Sequence, residues 1–161
     1  MSELSPRTDA EPMAFSRSEF WRGACGALVW YLVGVAAVGL YWVLIAGAAG
    51  VMILLYTVMV AGVTAALSFL LWAPLAWLLG RRLRRVASTP VHLLGFTCLG
   101  AIVGIVTVGA FWWLAGPDTW ILPALWPYAA VAVVAVPWAW WRTSARALRA
   151  DRLRMDTART S

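Results

Sequence analysis

The sequence predicts an all-α polytopic membrane protein with four transmembrane helices, and three observations carry that reading. Apolar residues make up 63% of the 161 positions and charged residues 12%, whereas soluble domains are about 25% charged. No charge occurs between Gly23 and Gly80, a run of 58 residues, and one span needs only about 20. The thirteen basic residues, all of them arginine, stand in short blocks beside the apolar runs. That exclusive use of arginine reads as the imprint of a GC-rich bacterial genome. The net charge of +6 would suggest nucleic acid in a soluble domain; here its placement points to membrane orientation, with no nucleic-acid partner.

Residues 1–19 read as a disordered cytoplasmic tail, because Pro6, Pro12 and charges of both signs interrupt every apolar pattern. No cleavable signal peptide is expected: the N-terminus has mixed charge, and the apolar run after it is too long for such a segment. The membrane domain then covers 20–142. Its first block divides at Ala46-Gly47-Ala48-Ala49-Gly50, where small residues allow a tight reversal. This places spans at about 20–45 and 51–79. A second block is divided by Gly116-Pro117-Asp118-Thr119, giving spans at about 90–115 and 121–142. Ser88 or Thr89 is placed to cap the third helix, and Pro90 suits its first position. Asp118 or Thr119 is placed to cap the fourth, which Pro127 should bend. Residues 143–161 form a basic C-terminal tail that prolongs the fourth helix.

Orientation follows from the arginines. Arg17 and Arg22 precede the first span, Arg81, Arg82, Arg84 and Arg85 join the second to the third, and six more follow the fourth. The two opposite loops carry no basic residue. The positive-inside rule therefore puts both termini and the middle loop in the cytoplasm of a multi-pass protein of the inner or plasma membrane. Burying the four loop arginines would cost on the order of 10 kcal/mol. Eleven of the twelve tryptophans fall near one of the two predicted membrane surfaces, as an aromatic belt requires. Trp30 has no such explanation.

An internal repeat is visible. Gly34-Val-Ala-Ala-Val-Gly39-Leu-Tyr-Trp42 matches Gly104-Ile-Val-Thr-Val-Gly109-Ala-Phe-Trp112 at an offset of 70, and Pro74-Leu-Ala-Trp77 matches Pro137-Trp-Ala-Trp140 at an offset of 63. Two duplicated, parallel helical hairpins would produce this pattern; so would chance in a composition so rich in Gly, Ala, Val and Trp. Gly34, Gly39, Gly100, Gly104 and Gly109 are the expected helix-packing positions, with Gly23/Ala27 and Gly62/Ala66 as further small-residue pairs.

Chemistry is scarce. No ionisable group lies within the spans apart from His92 at a predicted surface, whereas transporters and proton pumps keep such groups in theirs. Thr57, Thr64 and Ser68 share helical spacing and form a candidate polar stripe, unless each hydroxyl bonds a carbonyl of its own helix. His92 reads as an interfacial histidine without metal or haem, and Cys25 and Cys98 as small packing residues. No cofactor and no enzymatic activity are expected. Arg81, Arg82, Arg84, Arg85, Arg142, Arg146 and Arg149 are candidate contacts to anionic lipid. Small multidrug exporters carry a buried glutamate in the first helix that is missing here, and tryptophan-rich sensory proteins have five spans. The expected role is an accessory or interaction subunit, bound to a membrane-protein partner or to itself. The alternative is a small transporter or channel formed by self-association.

Overall fold

A computed structural model describes residues 7–8, 10–116 and 122–160. Four helices follow in order: α1 (Arg17–Ala46), α2 (Ala48–Leu83), α3 (Thr89–Ala115) and α4 (Leu122–Thr160). α1 begins three residues ahead of the expected span because Ser16-Arg17-Ser18-Glu19 is a capping box. The Ser16 hydroxyl accepts the Glu19 amide at 3.2 Å, and the Glu19 carboxylate accepts the Ser16 amide at 3.0 Å. Two otherwise orphaned donors are thereby satisfied.

The first reversal falls where the small residues stand. Gly47 alone separates α1 from α2, at φ 55° and ψ −127°, a conformation that a side chain would strain. Gly50 then lies against the backbone of Trp42 and Val43. α3 starts at Thr89 with Pro90 in its first turn, as the sequence predicts, although the Ser88 side chain makes no capping bond. The second reversal, residues 117–121, lies outside the described residues, and with it the expected caps Asp118 and Thr119. Pro127 and Pro137 are both inside α4, which continues into the basic tail.

Among the described residues, three helices are long and apolar enough to cross a membrane: α1, α2 and α3 over Thr89–Leu114. This makes the chain an all-helical, multi-pass membrane protein. α4 is not one of the three, since prolines and tryptophans dilute its apolar half and arginines fill the remainder.

The helices pack in the cyclic order of the sequence. α1 packs broadly on α2 and α4, α3 packs broadly on α4, and α2 meets α3 along a narrow seam. Side chains are sorted by size rather than by polarity. Ala61, Ala65, Ala132, Ala135 and Ala139 are buried, while Leu44, Leu55, Leu70, Leu71 and Leu114 are exposed. That arrangement suits a lipid solvent, where leucine gains nothing by leaving the surface and small residues let backbones approach.

The expected packing glycines divide. Gly100 and Gly104 lie against the backbone of Ala132 and Ala129 in α4, Gly34 against Val131 of α4, and Gly39 against Leu54 of α2. Gly109 is corrected: among the described residues, nothing packs within 4 Å of where its Cβ would stand. The two repeat copies also differ in setting. A two-fold relation between hairpins would send Gly34 to α4 and its counterpart Gly104 to α2, yet both face α4.

Candidate functional site

α1 and α3 start, and α2 and α4 finish, at one end of the bundle, so the arginine blocks gather there. Where the sequence reads as a tail, residues 7–8 and 10–16 lie as a strap across that end. Arg7 donates to Asp151 of α4 at 2.8 Å and to Glu19 of α1 at 3.2 Å. Glu11 pairs with Arg84 at 3.1 Å, and the Met13 amide donates to the Arg84 carbonyl at 3.1 Å. Phe15 then lies over Gly80, edge-on to Trp77 and stacked with Phe20. The strap therefore ties α1, α2 and α4 together.

Beneath the strap runs a cavity of about 180 Å³ lined by all four helices. Along α4 its lining extends from Tyr128 to Ala147, about 28 Å at 1.5 Å per residue. Arg7, Phe15 and Glu19 line its strap end; Tyr31, Thr107 and Tyr128 line the other. Its walls are almost wholly apolar, and such cavities stay dry.

The expected polar stripe resolves into three separate bonds rather than a path. Thr64 donates to its own helix, to the Val60 carbonyl at 2.9 Å. Ser68 pairs with Thr107 of α3 at 3.1 Å, and Thr57 accepts from the Tyr128 hydroxyl at 3.5 Å. Thr64 is thus removed from the candidate stripe, and Ser68 and Thr57 become cross-links between helices.

His92 stays in the first turn of α3 but is packed inward: it is 2% exposed, stacked on Trp140 at 4.9 Å, and its Nδ1 donates to the Ser88 carbonyl at 3.0 Å. Its Nε2 has no hydrogen-bond partner among the described residues. His92, Phe96, Gly100 and Gly104 are all buried and recur every four residues, so one continuous face of α3 is turned inward. That spacing is visible in the sequence and would have placed His92 inside. Cys25 and Cys98, expected to pack, are free and exposed. Trp30 gains its explanation from α4: it packs edge-on to Trp138, and the Arg142 guanidinium sits 5.4 Å above its ring.

The candidate lipid-binding arginines likewise separate. Arg84 is engaged by Glu11, with Arg85 3.9 Å from the same carboxylate, and Arg142 by Trp30. Arg81, Arg82, Arg85, Arg146 and Arg149 are exposed. Among the described residues, no group of three His, Cys, Asp or Glu side chains could hold a metal ion. The chain matches no known family model, no curated protein and no solved structure.

Proposed function

We propose that this chain is an accessory subunit of a larger membrane assembly, a bundle of four spans with both termini in the cytoplasm. The observation that carries the reading is the outer face of α2. Among the described residues nothing lies within 4 Å of where a Cβ on Gly62 would stand, and Ala66 is exposed, so a small-residue step stays open there. Gly100 and Gly104 of α3 are instead covered by α4. In a bilayer, an open step of this kind lets a neighbouring helix approach closely. The exposed Val58 and Val63 flank it and supply surface for that neighbour.

α4 counts as the fourth span in this proposal because its segment from Tyr128 to Ala139 lies against α1 and α3. A helix packed along two spans through their depth crosses with them. Both ends of the chain then share the arginine-rich side, and the positive-inside rule assigns that side to the cytoplasm. The exposed arginines there suit anionic headgroups. If the hairpins are copies, they share an origin without sharing their packing.

A self-associating transporter is the second reading, favoured by the central cavity. Its apolar walls and spent hydroxyls count against passage of ions. Purification of the tagged chain in mild detergent separates the two. A defined larger partner, lost on Gly62→Leu, is the expected result. A homogeneous homo-oligomer indifferent to Gly62→Leu would replace the first reading with the second.

A further inference from the structure

We propose that the cavity is a lipid site: it holds one acyl chain of a membrane phospholipid, admitted sideways between α2 and α3. The inference rests on the membrane placement of the bundle and not on the accessory role.

The ends of the cavity offer no entry. The strap covers one, held by the Arg7 ion pairs and by Phe15 over Gly80. At the other, Tyr128 reaches across to Thr57. Three of the four seams are broad. The seam between α2 and α3 is narrow, and its contacts include two at different heights: Leu79 and Leu83 against Gly95, and Ser68 bonded to Thr107. The cavity lining on these helices fills the interval between the two contacts and runs up to a turn past the Ser68–Thr107 pair, from Ala65 to Ala76 on α2 and from Phe96 to Val108 on α3. From Ser68 to Leu79 is eleven residues of α2, about 16 Å of helix, which is room for a chain to lie in from the side.

The lining selects the occupant. Ser68 and Thr107 satisfy each other, and Arg7 is neutralised by Glu19 and Asp151. What remains facing the space is chiefly alanine, valine, leucine and aromatic carbon, with Tyr31, Thr143 and Ser144 as scattered hydroxyls among them. A polar solute would lose its hydrogen bonds there without replacement, whereas a hydrocarbon chain gains packing against walls that otherwise have no neighbour. In the plane of a bilayer, the hydrocarbon at hand is the acyl chain of a phospholipid. An alkyl chain also fits the shape, being long, narrow and flexible enough to follow a slot of about 28 Å.

Two measurements test the site. In the first, the chain is purified in mild detergent, washed, and its mass is read with bound molecules retained. One phospholipid per chain is expected. Ala65→Leu and Ala27→Leu, which fill the cavity from α2 and α1, should each reduce retention at least tenfold without lowering the melting temperature. No retained lipid, retained free fatty acid alone, or equal retention by these variants would overturn the proposal. In the second, the unaltered chain is reconstituted in phosphatidylethanolamine vesicles containing a phospholipid with a diazirine in its acyl chain. Adducts on inward-facing Ala65, Ala132 and Ala135 support the site; adducts confined to outward-facing Leu70, Leu71 and Ile105 refute it.

Discussion

The seam between α3 and α4 and the seam between α2 and α3 share one helix, yet they are built in opposite ways. On the α4 side, α3 presents Gly100 and Gly104 to the backbone of Ala132 and Ala129, so two main chains meet with no side chain between them. On the α2 side it presents Leu99, Val103 and Thr107 to a cavity, with a hydroxyl pair and two leucines among the contacts. Apolarity does not distinguish the two faces, since both are uniformly apolar. Side-chain size does. In lipid, where no hydrophobic force brings helices together, close packing decides which faces join and which stay apart.

Two alanine substitutions nine residues apart on α3 test this most severely. A Cβ at position 100 would stand 2.6 Å from the Ala132 carbonyl oxygen, and backbone cannot yield as a side chain can. Gly100→Ala should therefore destabilise the protein by about 2 kcal/mol, within the usual range for overpacking. A Cβ at position 109 meets nothing among the described residues, so Gly109→Ala should be neutral or stabilise by up to about 1 kcal/mol through helix propensity. Unfolding in a graded denaturing detergent measures both. Equal effects would remove the distinction between the seams.

That result bears on what the sequence makes legible. Gly100 and Gly104 stand out as a packing pair from their spacing alone, and they pack. Gly109 carries the same chemistry in the same helix and does not, because it lies five residues beyond Gly104, a rotation of well over a quarter turn away from that face. The repeat pattern therefore misleads exactly where helical phase matters. Helix positions were readable because apolar run length and glycine breaks are local properties. The Ser16–Glu19 box is equally local and was there to be read. The strap is not, because Arg7 finds Asp151 across 144 positions, and nothing near Arg7 announces that partner. The cavity is illegible for a related reason: it is defined by which small residues fail to meet.

The strap compensates for the weak seam. It fastens the end of α2 through Glu11 and Met13 to Arg84, and it reaches α1 and α4 through Arg7. The Arg7 pairs are partly shielded, with side-chain exposures of 13% to 18%. Arg7→Ala should then cost about 1–2 kcal/mol, between the values typical of surface pairs and of buried ones. The loss should appear locally, as faster hydrogen exchange at the Met13 amide, with little change in global unfolding. Unchanged exchange would mean that Phe15 and its aromatic neighbours hold the strap without the ion pairs.

The smallest effect belongs to the hydroxyl pair of the weak seam. Ser68→Ala removes the bond to Thr107 and leaves the apolar contacts intact. Hydrogen bonds between membrane helices contribute about 0.6 kcal/mol on average. The Thr107 hydroxyl can also turn to a carbonyl of its own helix, as Thr64 already does with Val60, which limits the penalty further. A loss near 0.6 kcal/mol is thus the upper expectation, and Thr64→Ala, which breaks no contact between helices, should lose less. Measured side by side by the same unfolding titration, the two variants calibrate how little holds α2 to α3. A loss of 2 kcal/mol or more at Ser68 would make that seam as firm as the one between α3 and α4, and a chain could not part it to reach the cavity.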